Sequence, residues 1–144
     1  MNRMGLTICC IAVSMLSGMA AAQSDREVQA HKMVLDLAGA FSNEGFKMRD
    51  GHWTGSLKQN ENALVAVNLY SGNQYWFSVG AVEPAKKIEV AVYDETGNRV
   101  TTDNYADGEK AAAGFTPNSS GQYYVSVGLL EGGESTYCLV YSYK

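Results

Sequence analysis

The sequence predicts a mainly β protein: an antiparallel β-sandwich or jelly roll of about eight strands, preceded by one N-terminal amphipathic helix. Three observations predict it. Short runs of apolar–polar alternation recur along residues 46–144, the period of a half-buried strand. Turn residues rich in Gly, Asn, Asp and Ser separate most of these runs. No helical pattern lies between strands, which excludes the βαβ units that a parallel sheet requires.

A leader comes first. Arg3 supplies a short positive segment, Gly5 to Leu16 an apolar run, and Ala20-Ala21-Ala22 the small residues of a cleavage site. Residues 1–22 therefore read as a secretory signal peptide cleaved after Ala22. The apolar run is short for a bilayer span and has no stop-transfer flank, so no membrane insertion is expected after cleavage. Cys9 and Cys10 leave with the leader, and no cysteine stands at the cleavage site to carry a lipid. The expected location is the periplasm or the cell exterior. The net charge of the whole chain is −4, and loss of Arg3 makes the mature chain slightly more acidic. A mildly acidic chain without a basic run argues against nucleic acid or anionic lipid as a partner.

Only Cys138 survives cleavage, so packing rather than a disulfide must hold the fold. Cys138 sits between Tyr137 and Leu139 in an apolar strand and reads as a small buried hydrophobe. The alternatives are an intermolecular disulfide or a nucleophile, for which the two histidines, His31 and His52, are far away in sequence.

Residues 23–45 form the helical unit. Ser24 and Glu27 have capping-box spacing. Ala30, Met33, Val34, Leu37 and Phe41 fall on one helical stripe, and Gly45 can take the left-handed conformation past the helix end. The stripe either packs on the sandwich or serves as a partner-binding arm. Residues 46–144 form the sandwich. Phe46 and Met48 open a hairpin whose turn is Asp50-Gly51, with His52 to Leu57 returning. Ala63 to Tyr70 is a strand with Val65, Val67 and Leu69 on its core face. Gln74 to Gly80 alternates Tyr75, Phe77 and Val79 against Trp76 and Ser78. Ile88 to Tyr93 places Ile88, Val90 and Val92 on one face. Asp94 to Asn98 turns the chain into a short strand, Arg99 to Thr102. Asp103 to Lys110 reads as an acidic loop and Ala111 to Thr116 as a weaker strand. Gln122 to Leu130 alternates Tyr123, Val125, Val127 and Leu129, and Thr136 to Tyr143 ends the chain.

From Gly55 onward three pieces stand in order: GSLKQNENALVAVNLYSGNQYWFSV, KIEVAVYDETGNRV and FTPNSSGQYYVSV. They carry a Gly-x-Leu and Gly-x-x-Tyr opening, a strand-Tyr-Asp-x-x-Gly element and a Gly-x-Tyr-Tyr-Val-x-Val close. In these the stretch Gly55 to Lys144 resembles the bacterial pre-peptidase C-terminal β-sandwich domains. The resemblance implies a non-catalytic module of the kind appended to secreted enzymes for surface or substrate binding, some resembling calcium- or carbohydrate-binding sandwiches. Where many relatives carry an Asp-rich strand, this chain has Ile88-Glu89-Val90-Ala91-Val92, with one acidic residue.

Motifs for catalysis do not emerge. The sequence has no Gly-x-Ser-x-Gly elbow, no His-Glu-x-x-His, no Cys-x-x-Cys and no phosphate-cradling loop. Two histidines fall short of a zinc site. The acidic segment, with Asp103, Asp107 and Glu109 and the nearby turn residue Asp94, offers oxygen ligands to calcium; its plainer reading is a solvated loop. Tyr70, Trp76, Tyr93 and Tyr124 lie opposite the core residues on four strands. They form either a stacking platform for a sugar or a protein, or a second small core under the helix or hairpin. Trp53, between Gly51 and Gly55, has the same two readings. The leading expectation is an exported, non-enzymatic binding module. A carbohydrate-binding or calcium-stabilised module is the alternative, and a small secreted enzyme the third.

Overall fold

The computed structural model describes residues 16–144, with side chains from Asp25 onward. Residues 1–15, most of the expected signal segment, lie outside the described residues. The first element is α1 (Leu16–Ser42). It starts upstream of the expected cap, so Ser24 lies inside the helix; the Ala20-Ala21-Ala22 run consists of strong helix formers and carries the helix through. At the other end Gly45 adopts φ 89°. Its N–H donates to the Ser42 carbonyl and the Phe46 N–H to the Phe41 carbonyl. This is the double bond of a Schellman cap, completed by an edge-on contact between the Phe41 and Phe46 rings.

Nine strands follow: β1 (Lys47–Met48), β2 (Trp53–Leu57), β3 (Asn62–Leu69), β4 (Tyr75–Ala81), β5 (Ala85–Tyr93), β6 (Asp103–Asp107), β7 (Lys110–Phe115), β8 (Gly121–Gly132) and β9 (Ser135–Tyr143). They form two antiparallel sheets. The larger has the order β1-β9-β4-β7-β6, with β2 also on β9; the smaller has the order β3-β8-β5. The expected sandwich is therefore present, and its core faces match the alternation. Val65, Val67, Leu69, Ile88, Val90, Val92, Tyr123, Val125, Val127 and Leu129 from the smaller sheet meet Phe77, Val79, Ala111, Ala113, Leu139 and Tyr141 from the larger in one buried cluster. The Tyr123 hydroxyl donates to the Ser119 carbonyl four residues upstream at 2.7 Å, the tie by which a tyrosine pins a corner in many sandwiches.

The helix makes a third layer, on the outer face of the larger sheet. Ala30, Val34 and Ala38 are buried against Val82, Cys138 and Val140, with Met33 partly buried beside them. Of the two readings of the stripe, packing on the sandwich holds. Gly80 makes the close approach possible: a Cβ there would stand 3.0 Å from Met33 Cβ, 3.1 Å from Val34 N and 3.3 Å from Ala30 O. Cys138 is fully buried in the same seam.

Three local expectations are corrected. Phe46 to Leu57 is not a hairpin: β1 and β2 both pair with β9, Met48 opposite Ser142 and Trp53 opposite Leu139. Asp50-Gly51 lies in the loop by which one interrupted edge strand bulges outward, because more residues separate Met48 from Trp53 than separate their partners. Asp103 to Lys110 is not a loop: β6 pairs with β7 from Asp103 opposite Gly114 to Asp107 opposite Lys110. Every residue of β6 is exposed, and an edge strand wet on both faces leaves no apolar alternation to read. Arg99 to Thr102 makes only an isolated bridge, Arg99 to Tyr93.

Candidate functional site

With α1 on the larger sheet, the outer face of the smaller sheet is the broad face left open by the described residues. Register places its outward residues in three rows. Ala66, Tyr124 and Tyr93 stand side by side; next come Leu64, Ser126 and Ala91; then Asn62, Gly128 and Glu89. The small residues form a floor, and Leu64, Tyr93 and Tyr124 stand above it. The result is an open groove of about 540 Å³, closed at one end by the turn Glu95-Thr96-Gly97. Leu64 is 65% exposed, whereas Tyr93 and Tyr124 are half-buried.

The turn is held together by local hydrogen bonds. Asp94 Oδ1 accepts hydrogen bonds from the Thr96 hydroxyl at 2.7 Å, the Asn98 N–H at 2.9 Å and the Thr96 N–H at 3.0 Å, an Asx-type fold-back. Gly97, at φ 86°, takes the left-handed position that such a turn demands. The Thr96 hydroxyl bond, followed by the backbone donors, holds the Asp94 carboxyl below its ordinary range.

The expected aromatics do not share one platform. Tyr93 and Tyr124 are direct cross-strand partners on the open face. Trp76 belongs to the other sheet, beneath the helix: its ring stacks on Phe41 at a 4.4 Å centroid distance and lies over Gly114, where a Cβ would meet it at 2.9 Å. Tyr70, 63% exposed, sits at the end of β3 beside Arg49, Tyr141 and Tyr143. Trp53 stacks on Tyr141 at 5.9 Å, under the Arg49 guanidinium at 5.8 Å. The physical reason is that alternation assigns residues to a face of their own strand, while pairing decides which sheet, and so which direction, that face takes.

The acidic residues are likewise spread. Asp103 and Asp107 are on β6, Glu109 is in the turn after it, and Asp94 is tied into its own turn. Among the described residues, no group of three or more His, Cys, Asp or Glu side chains stands close enough to hold a metal ion. His31 and His52, distant in sequence, stack at 4.2 Å. Partial burial, then the charge of His52, lowers the pKa of His31. Burial, with a smaller effect from Glu27, pushes the Cys138 thiol up to about 12, so it stays protonated and unreactive at neutral pH.

Leu64 is the groove residue that sequence reasoning passed over. Its signal was present: a large apolar side chain out of phase with Val65, Val67 and Leu69. Nothing local marked Arg49, which reaches its aromatic neighbours only through the pairing of the β1–β2 segment with β9.

Among the described residues, no helix is long and apolar enough to cross a membrane. No family model matches this chain, and no curated protein matches it. Among solved structures it is similar to the crystal structure of Aeromonas hydrophila PliG, a periplasmic lysozyme inhibitor of g-type lysozyme. The identity is 13%, the match covers 70% of this chain and 90% of that one, and the TM-score is 0.48. The fold described above rests on this chain's own strand pairing.

Proposed function

We propose that this chain is an exported, non-enzymatic binding module that docks a protein surface on the open face of its three-stranded sheet. One observation carries the reading. Leu64 stands 65% exposed beside the paired Tyr93 and Tyr124, on the broad face that α1 leaves open. A large exposed aliphatic beside two tyrosines is the composition of a protein-binding patch: aromatic anchors with an apolar centre, ringed by polar groups. Here the ring is Asn62, Glu95 and Thr96. The resemblance to pre-peptidase C-terminal domains supports a binding role, and the arrangement of Arg3, the apolar run and Ala20-Ala21-Ala22 supports export. Export is checked by sequencing the N-terminus of the exported protein, which should begin at Gln23.

A photo-cross-linking amino acid placed at position 64 in living cells tests the site. Discrete protein adducts are expected at position 64. They should be absent at position 35, an exposed leucine on the helix, and reduced when Tyr124→Ala is added. Equal adducts at both positions, or none, would overturn the reading. A second reading, a carbohydrate site, is favoured by the polar groups placed around the two tyrosine rings. It predicts oligosaccharide-induced NMR shifts confined to Leu64, Tyr93 and Tyr124, without protein adducts.

A further inference from the structure

A second pocket, of about 290 Å³, opens at one end of the sandwich, away from the Leu64 groove. It is built where three chain segments meet: the end of β3 at Tyr70, the start of β4 at Tyr75, and the end of β9 at Tyr141 and Tyr143. The bulge between β1 and β2 adds Arg49. Strand pairing fixes this residue in place, since the Arg49 N–H donates to the Tyr141 carbonyl at 3.0 Å. Its guanidinium stands 5.2 Å from the centre of the Tyr141 ring and 5.8 Å from that of Trp53. Among the described residues, the ion pair formed is Arg99 with Glu89, so no carboxylate neutralises Arg49.

The hydroxyls around it are unusual in what they lack. Tyr75 is 4% exposed, and its oxygen already accepts two hydrogen bonds, from the Tyr70 N–H at 2.9 Å and the Asn73 amide at 3.2 Å. An oxygen that accepts twice must direct its own proton elsewhere, and that proton has no acceptor among the described residues. The Tyr141 hydroxyl makes no hydrogen bond to the described residues either. Burial first, then the nearby Tyr75, Tyr70 and Tyr143 hydroxyls, raise its pKa above the ordinary tyrosine value against the opposing pull of Arg49. It is therefore a donor at every physiological pH. A permanent cation and two largely buried tyrosines, Tyr75 at 4% and Tyr141 at 7% exposure, whose hydroxyl protons have no acceptor among the described residues, line one cavity together with the more exposed Tyr70 and Tyr143. Asn68, also in the lining, adds an amide that both donates and accepts.

We infer that this pocket binds an anionic sugar unit, its carboxylate held by Arg49 with the Tyr75 and Tyr141 hydroxyls and its ring lying against Tyr70 and Tyr143, the exposed rings of the lining. A carboxylate supplies the acceptors that these donors lack. A sugar ring suits the aromatic walls, and vicinal hydroxyls suit amides such as Asn68 and Asn73. The volume admits about one such unit in an open site.

Titration of the whole protein with glucuronate, followed by NMR, tests this, with glucose and acetate as separate arms. Glucuronate should shift the signals of Arg49, Tyr70 and Tyr141 saturably in the millimolar range. Glucose should bind at least about tenfold more weakly, since the charge-assisted bonds are lost, and acetate should be weaker than glucuronate because it lacks the ring. Arg49→Gln should reduce glucuronate affinity about tenfold or more. Tyr75→Phe also removes an acceptor used by the backbone, so Tyr141→Phe, which loses a hydroxyl with no partner among the described residues, is the cleaner variant. It should keep the wild-type melting temperature while weakening glucuronate. Leu64→Asp should leave this binding unchanged, which separates the pocket from the groove. Equal responses to glucuronate and glucose, or glucuronate binding unaffected by Arg49→Gln, would overturn the assignment; acetate as effective as glucuronate would overturn the sugar part of it.

Discussion

Gly80→Ala adds one methyl group where the helix rests on β4. The new Cβ would lie 3.0 Å from Met33 Cβ, 3.1 Å from Val34 N and 3.3 Å from Ala30 O. Two of these neighbours are helix backbone atoms, so no side-chain rotation relieves the contact, and the helix must lift as a body. A lift of about 0.5 Å forfeits roughly a quarter of the dispersion energy of each contact across the seam. Ala30, Val34 and Ala38, all fully buried there, share that loss. Overpacking of this kind costs about 1–3 kcal/mol, which for a chain of this size lowers Tm by about 4–12 °C. A matched control isolates the steric part. Gly39 lies in the same helix with nothing near its Cβ position, so Gly39→Ala gains helix propensity and should stabilise by about 0.5–1 kcal/mol. Both variants restrict the unfolded chain in the same way; their difference therefore reports the seam. Thermal unfolding followed by circular dichroism is the assay. If Gly80→Ala melts within about 1 °C of wild type, or rises together with Gly39→Ala, the helix is not seated on Gly80.

Three further outcomes follow from the same geometry. Cys138, fully buried with its thiol pushed up to about 12, should resist a disulfide-exchange reagent at neutral pH in the native protein and react once denatured; rapid native labelling would contradict its place in the seam. His31 holds a proton less tightly in the folded chain than at its ordinary value of 6.5, so below that pH the unfolded chain binds more protons. Stability should fall as pH drops through 6.5 and level off below the folded-state value, and His31→Asn should flatten the profile; an identical pH profile in that variant would remove His31 as the cause. The hold of Asp94 on its turn should be lost as pH falls below 3.8 through its depressed folded-state pKa. Asp94→Ala should speed amide exchange at Thr96 and Asn98 at neutral pH, and unchanged exchange would show that the side chain does not organise the turn.

The sequence by itself determined what depends on the local period. Val65, Val67 and Leu69 on one strand, and Tyr123, Val125, Val127 and Leu129 on another, were readable as core faces because a strand with one wet and one dry face must alternate. The helical stripe from Ala30 to Phe41 was readable for the corresponding reason. Only the tertiary structure decided which strands became neighbours, since pairing joins segments far apart in the chain. It set β1 and β2 in line along β9 instead of against each other, and it made an edge strand of the acidic Asp103–Asp107, whose exposed residues carry no pattern. It also divided the outward aromatics. Tyr93 and Tyr124 point from the smaller sheet to the open side, while Trp76 points from the larger sheet into the helix. Two sheets packed face to face have outer faces in opposite directions, so residues with the same outward phase cannot form one surface unless their strands share a sheet.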